Sequence, residues 1–188
     1  MGTDIHGVFQ KKTPEGWEDI PSEYSEDRHY LLFAWLGNVR NGFGFAGLKT
    51  FVQIPSLSDH RGIPDDFVMN SDSHPVKDLN IWMGDHSYSW VTGEEILSAS
   101  LGTVKRYGVI SKEEYEKWDK ISQPQSWCGG ITGRDVVVSR PEEITDNTTH
   151  VEIEWDRDLK EDIEYFIKEV ERLTKKHGEI RFVFGFDS

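Results

Sequence analysis

The sequence predicts a single α+β domain over residues 1–188, with a mixed β-sheet, an N-terminal hairpin and a C-terminal β-α-β unit. Three observations carry that reading. Lys12-Thr13-Pro14-Glu15-Gly16 is a turn between two short β-type runs, Pro setting φ and Gly permitting φ > 0. Val151, Ile153 and Trp155 alternate with Glu152, Glu154 and Asp156, the pattern of a half-buried strand. Leu159, Ile163, Phe166, Ile167, Val170 and Leu173 then recur at helical spacing, and an apolar run over 180–186 follows. No internal repeat, low-complexity tract or linker divides the chain, and its length suits one well-buried domain.

In chain order, 3–10 reads as a first strand, with Ile5 and Phe9 on one face and Asp4, His6 and Val8 on the other. Residues 17–20 return as the hairpin's second strand. Residues 28–36 read as a short helix with Leu32, Phe33 and Leu36 inward, stopped by Gly37. A glycine-bearing loop follows over 38–48, Arg40 at its entrance, then irregular chain over 51–66 that sets His60 beside Arg61. The 71–78 stretch, with His74 before Pro75, reads as another loop. Thr92 with Glu95, and Ser111 with Glu114, have capping-box spacing, predicting helices from 93 to about 101 and from 112 to about 120. Between and after them the chain reads as loop. Residues 158–177 form the long helix, with Gly178 as its stop, and a right-handed crossover makes the strands on either side parallel.

The densest chemistry lies in Trp82-Met83-Gly84-Asp85-His86-Ser87-Tyr88-Ser89-Trp90. If extended, it places His86, Tyr88 and Trp90 on one face and Asp85, Ser87 and Ser89 on the other. The glycine-rich 126–134 stretch matches neither the dinucleotide fingerprint nor a P-loop, and Cys128 within it reads as a packed, inert thiol rather than a nucleophile.

Composition narrows the function. A formal net charge of -13 argues against an extended contact with duplex nucleic acid, whose affinity comes from Lys and Arg on phosphates. A small anion needs only a few local cations and N-H groups. Seven Trp offer core filling or stacking surfaces. One cysteine excludes an intramolecular disulfide. With no apolar run long enough to span a bilayer and no signal-like N-terminus, the expectation is a cytoplasmic protein with no membrane partner.

Thr3-Asp4-Ile5-His6-Gly7, Arg28-His29-Tyr30-Leu31-Leu32-Phe33 with Val39-Arg40, Arg61-Gly62-Ile63-Pro64-Asp65, and Asp85-His86-Ser87-Tyr88-Ser89-Trp90 together resemble a family of small bacteriophage and prophage proteins, largely uncharacterised. The resemblance covers about the first hundred residues. It implies the cytoplasm of an infected bacterial host, and a setting in which small accessory proteins cleave or sequester nucleotide immune signals.

Four functions fit the residues, of which the first, cleavage, is the expected one and the second and third are its alternatives. The first is metal-independent cleavage of a small cyclic mono- or dinucleotide: His86 with His6 or His60 as acid and base, Arg40 or Arg61 as cation, Ser87 or Ser89 on a phosphate oxygen, Tyr88 or Trp90 stacked on the base, and Asp4 or Asp85 orienting a histidine. No cofactor is then expected. The second is a divalent-metal hydrolase in which Asp4, His6 and His86, with Asp85, converge on the ion. The third is a non-catalytic nucleotide-sequestering protein, an oligomer in one form, using aromatic stacking and Arg-phosphate pairing. The fourth is a module that binds a basic host protein.

Overall fold

A computed structural model describes residues 2–26, 28–44, 48–68, 82–131 and 133–188. It is α+β, with two sheets and helices. The chain's contacts gather into two compact units, Met1–Asn41 with Ile54–Ser100 and Asp162–Ser188, and Gly42–Gln53 with Leu101–Glu161. The expected loop at 71–78, His74 included, lies outside the described residues.

The first unit is built on four antiparallel strands: β1 (Asp4–Thr13), β2 (Gly16–Ile20), β3 (His86–Thr92) and β7 (Ile180–Asp187), in the order β2-β1-β7-β3. The predicted hairpin is present, closing Thr13 onto Gly16. On one face Ile5, Phe9, Phe182, Phe184 and Phe186 are buried with Phe33 and Phe166 from two helices. Phe9 stacks on Phe182 with ring centroids 4.5 Å apart. The Tyr30–Gly37 helix is apolar all round, and every residue from Leu31 to Gly37 is buried, not only Leu32, Phe33 and Leu36. A helix without a polar face has no side to give to water. His29 caps its start, accepting from Leu32 N, and Asn38, at φ 58, closes it.

The second unit holds β4 (Thr103–Ser111), β5 (Val137–Val138) and β6 (His150–Asp158) in a mixed sheet, β4 antiparallel and β5 parallel to β6. Val151, Ile153 and Trp155 point inward as the alternation predicts. Strand β4 falls where the sequence reads as loop. Its inward set is Arg106, Gly108 and Ile110, so a cation and a glycine stand where apolar residues would reveal the period. Gly108 is needed there: a Cβ would come within 2.8 Å of Trp127, whose ring packs edge-on against Trp155 at 5.1 Å.

Further expectations change. The C-terminal strand-helix-strand order is present, but β6 and β7 belong to different sheets, so they form no parallel pair. The single predicted helix is two, Leu159–Asp162 and Glu164–His177, interrupted at Ile163. Apolar spacing reports which side of a helix is inward, and Leu159, Ile163 and Phe166 keep that spacing across the break. The other helices are shorter than expected, Gly93–Ser98 behind a complete Thr92/Glu95 capping box and Lys112–Lys117 behind Ser111. Cys128 bridges to Val109 at the edge of β4 and is exposed, not packed.

Glu169 is a buried acid in the first unit. It accepts two 2.8 Å bonds from Arg172 and one from the Glu23 N-H at 2.7 Å, and the Arg172 bond holds its carboxyl below the usual 4.5 against the opposing effect of burial. A lowered folded pKa gives stability that is present above the unfolded value and is lost as pH falls through the folded one. Glu169→Gln is therefore expected to cost about 2 kcal/mol at pH 7, with the deficit shrinking below about pH 4, as measured by urea melts at both pH values.

Candidate functional site

The stretch from Met83 to Trp90 turns onto β7 and then pairs with it. Gly84 has φ 76 and lies so close to β7 that a Cβ would sit 2.2 Å from the Phe186 carbonyl oxygen, while Asp85 N donates to that oxygen at 2.8 Å. Pairing along β3 is then irregular between His86 and Ser89, where Ser87 takes φ 54. The bulge overturns the simple alternation of the stretch. His86 pairs with Phe186 and stacks on its ring at 6.1 Å, whereas Trp90 pairs with Val183, on the opposite face of β7. Tyr88 packs with Trp90 against the Met83-Val183 cluster, and its hydroxyl donates to Gly84 O at 2.6 Å. Burial pushes that phenol up. Ser89 is wholly buried, its hydroxyl donating to Ser58 and accepting from Arg61 N. Tyr88 and Ser89 thus build the fold, and His86 is parted from the two aromatics expected beside it.

The histidines separate further. His6 pairs with Gly185 and His86 with Phe186, adjacent residues of β7 that project to opposite faces. Their partners follow suit. His6 Nε2 lies 3.1 Å from Asp187 and its Nδ1 3.4 Å from Glu26. His86 Nδ1 lies 2.8 Å from the Ser87 hydroxyl and its Nε2 3.1 Å from that of Ser188, which in turn meets Thr3. His60, at φ 49 in an exposed loop, shares no hydrogen bond or ion pair with either among the described residues. The expected acid-base pair around one phosphate is therefore not assembled by this register.

Nor do the orienting and metal-binding assignments converge. Asp4 is held by both its oxygens on Arg28, at 2.7 Å each, which keeps its carboxyl below the ordinary range. Asp85 is exposed. Arg40 donates to Thr3 and lies over the Tyr30 ring. Among the described residues no group of three or more His, Cys, Asp or Glu side chains is arranged to hold a metal ion, so Asp4, His6, Asp85 and His86 do not form the set expected of a metal hydrolase.

Arg61 and Trp90 do come together, in a cleft of about 700 Å³ on the Val183 face of the sheet. One wall is Trp90 with the Arg61 guanidinium over its ring at 5.3 Å. Arg61 is fixed by Glu95 at 2.8 Å and by the carbonyls of Trp90 and Leu57. The other wall is Trp17, with the Arg181 guanidinium over its ring at 4.2 Å and Lys12 Nζ at 4.7 Å. Arg181 is only 3% exposed. Gln10, itself fully buried, accepts from its Nε at 2.9 Å, and Asp66 accepts from its Nη1 at 2.6 Å.

Sequence reading missed Trp17, Lys12 and Arg181. A signal for Arg181 existed: it is the one charge inside Ile180-Arg181-Phe182-Val183-Phe184-Gly185-Phe186. A charge in a strand apolar on both faces needs a reason. A second groove, of about 630 Å³ between the Gly93–Ser98 helix and the end of the long helix, is lined by Leu97, Ile180, Glu94 and Glu179 but by no cation, whereas the Trp17-Trp90 cleft is lined by Lys12, Arg61 and Arg181.

Comparisons with protein-family models, with curated proteins and with solved structures each give no match. Among the described residues no helix is long and apolar enough to cross a membrane.

Proposed function

We propose that this chain binds a small nucleotide, of the cyclic mono- or dinucleotide class, in the Trp17-Trp90 cleft and holds it without cleaving it. The observation that carries this reading is the pair of indole-guanidinium stacks, Arg181 on Trp17 and Arg61 on Trp90, on two walls of one cleft. Planar cations and indoles are the surfaces on which a base stacks, and guanidinium groups are the donors a phosphate takes. The resemblance to small phage proteins adds a setting, sequestration of a host's nucleotide immune signal. Binding stands ahead of cleavage because cleavage needs two proton-transfer groups around one phosphate. His6 and His86 project to opposite faces, and both nitrogens of His6 are already engaged.

The test incubates the protein with a panel of cyclic mono- and dinucleotides and chromatographs the solution before and after heat denaturation. Sequestration predicts a nucleotide that leaves solution and returns unchanged on denaturation. New products in place of the nucleotide would mean cleavage, and no depletion of any compound would remove the nucleotide reading. Trp17→Ala is expected to weaken binding of the depleted nucleotide about tenfold, the loss of one stacking surface, as titrated by calorimetry.

A further inference from the structure

Arg181 offers a buried fork of donors of which only part is used. Its Nη1 meets one oxygen of Asp66, its Nε meets Gln10, and among the described residues its buried Nη2 finds no acceptor. The pair is lopsided: Arg181 is 3% exposed and the Asp66 side chain 58%. A guanidinium satisfied by design would take both oxygens of one carboxylate, as Arg28 does with Asp4. Here the carboxylate covers the guanidinium from the solvent side and leaves one donor unpaired.

Its surroundings explain how the cover is held and how it could leave. Asp66 lies in a turn closed by Phe67 N on Pro64 O at 2.9 Å, and Phe67 is anchored against Met83 and Val183. The hydrogen bond and charge of Arg181, helped by the charge of Lys12 and by Trp17, hold the Asp66 carboxyl below its ordinary range against the opposing effect of burial. Gln10 keeps the guanidinium in place without help from Asp66, its own amide donating to Asp19 and to Val68 O. The Asp66 side chain can therefore swing to water while Arg181 stays aimed. Such a swing would favour an anion, because Lys12, Arg61 and Arg181 in the lining are matched by Asp65, Asp66 and Glu179. An incoming anion meets a neutral cleft until an acid departs.

From this geometry we infer that Asp66 is a built-in competitor for the ligand's anionic group, and that the ligand bears a phosphate or phosphodiester whose two free oxygens replace it on Nη1 and Nη2 of Arg181. This rests on the cleft being the nucleotide site. The exchange recovers the hydrogen bond that the resting state leaves unmade and removes a negative charge from the anion's path. It also makes the cleft selective. A nucleoside stacks but has nothing to displace Asp66 with.

The experiment titrates wild type, Asp66→Asn and Asp66→Ala with adenosine 5′-monophosphate and with adenosine by calorimetry. Both variants are expected to bind the monophosphate about tenfold more tightly than wild type, with adenosine binding unchanged. Two variants guard against a local effect of either side chain, and circular dichroism checks that each is folded. Unchanged or weaker monophosphate binding in folded variants that still bind adenosine would overturn the competitor role and leave the cleft as a ring-binding site. An equal gain for adenosine and the monophosphate would also overturn it, since Asp66 would then be blocking space rather than an anion. If wild type and both variants bind neither compound, the exchange fails; if none of them depletes a cyclic mono- or dinucleotide either, the nucleotide reading of the cleft fails with it.

Discussion

Gly185→Ala is expected to destabilise the protein by about 3 kcal/mol, read as a shift in urea midpoint, at the high end of what forcing one methyl into a packed site costs. The cause is steric. A Cβ at Gly185 would stand 2.1 Å from the Met83 carbonyl oxygen and 2.6 Å from the Tyr88 ring. Backbone and a ring anchored to Gly84 cannot both retreat, because Gly84 in turn crosses β7 at a distance that admits no side chain of its own. The substitution therefore pries the 83–88 segment from the centre of the sheet, and it would carry Trp90 and the Arg61 wall of the cleft with it. Gly129→Ala, where no atom lies within 4 Å of the added methyl, is the control and is expected to change stability by less than about 0.5 kcal/mol. Equal effects at the two positions would show that the approach of residues 83–85 to β7 does not hold in solution.

That close approach also explains what the sequence could and could not convey. The hairpin, β6, the Thr92/Glu95 capping box, the Ser111 cap and the inward face of the long helix follow from periodicity and local hydrogen bonds, so their residues announce them. Sheet membership depends on which strands meet. One clue was present, since β6 alternates and β7 is buried on both faces, the patterns of a half-covered and a fully covered strand. Strand β4 hides its period behind Arg106 and Gly108. The site suffers most from this. A bulge at Ser87 reverses the side to which His86 points, and one residue of slip moves a side chain to the other face, so counting parity through His86-Ser87-Tyr88-Ser89-Trp90 assigns the histidine to the wrong company. Arg61 and Trp90 were legible as a cation and an aromatic, but their partners Trp17 and Arg181 come from distant strands, joined only by the register of β2-β1-β7.

Arg181→Met is expected to separate the two roles that a buried arginine can have. If Arg181 were there to hold the fold, its loss would cost as much as breaking a buried ion pair, about 3–5 kcal/mol. The geometry argues for less. Asp66 is 58% exposed and returns to water when its partner is gone, so no charge is stranded. Methionine fills a similar volume over Trp17 and needs no partner for Nη2, which has none among the described residues even now. What remains is the fully buried Gln10 carbonyl, which loses its donor, a penalty of about 1–3 kcal/mol partly offset by the gained apolar packing. Stability measured by urea titration should thus fall by no more than about 2 kcal/mol. Binding of adenosine 5′-monophosphate should fall by about a hundredfold or more, because the anion loses both of its donors at once in a site shielded from water. Adenosine should be affected far less, since Trp90 and Arg61 remain. A variant that keeps wild-type affinity for the monophosphate would exclude Arg181 as the anion's partner, whereas one that cannot fold would make Arg181 a structural residue.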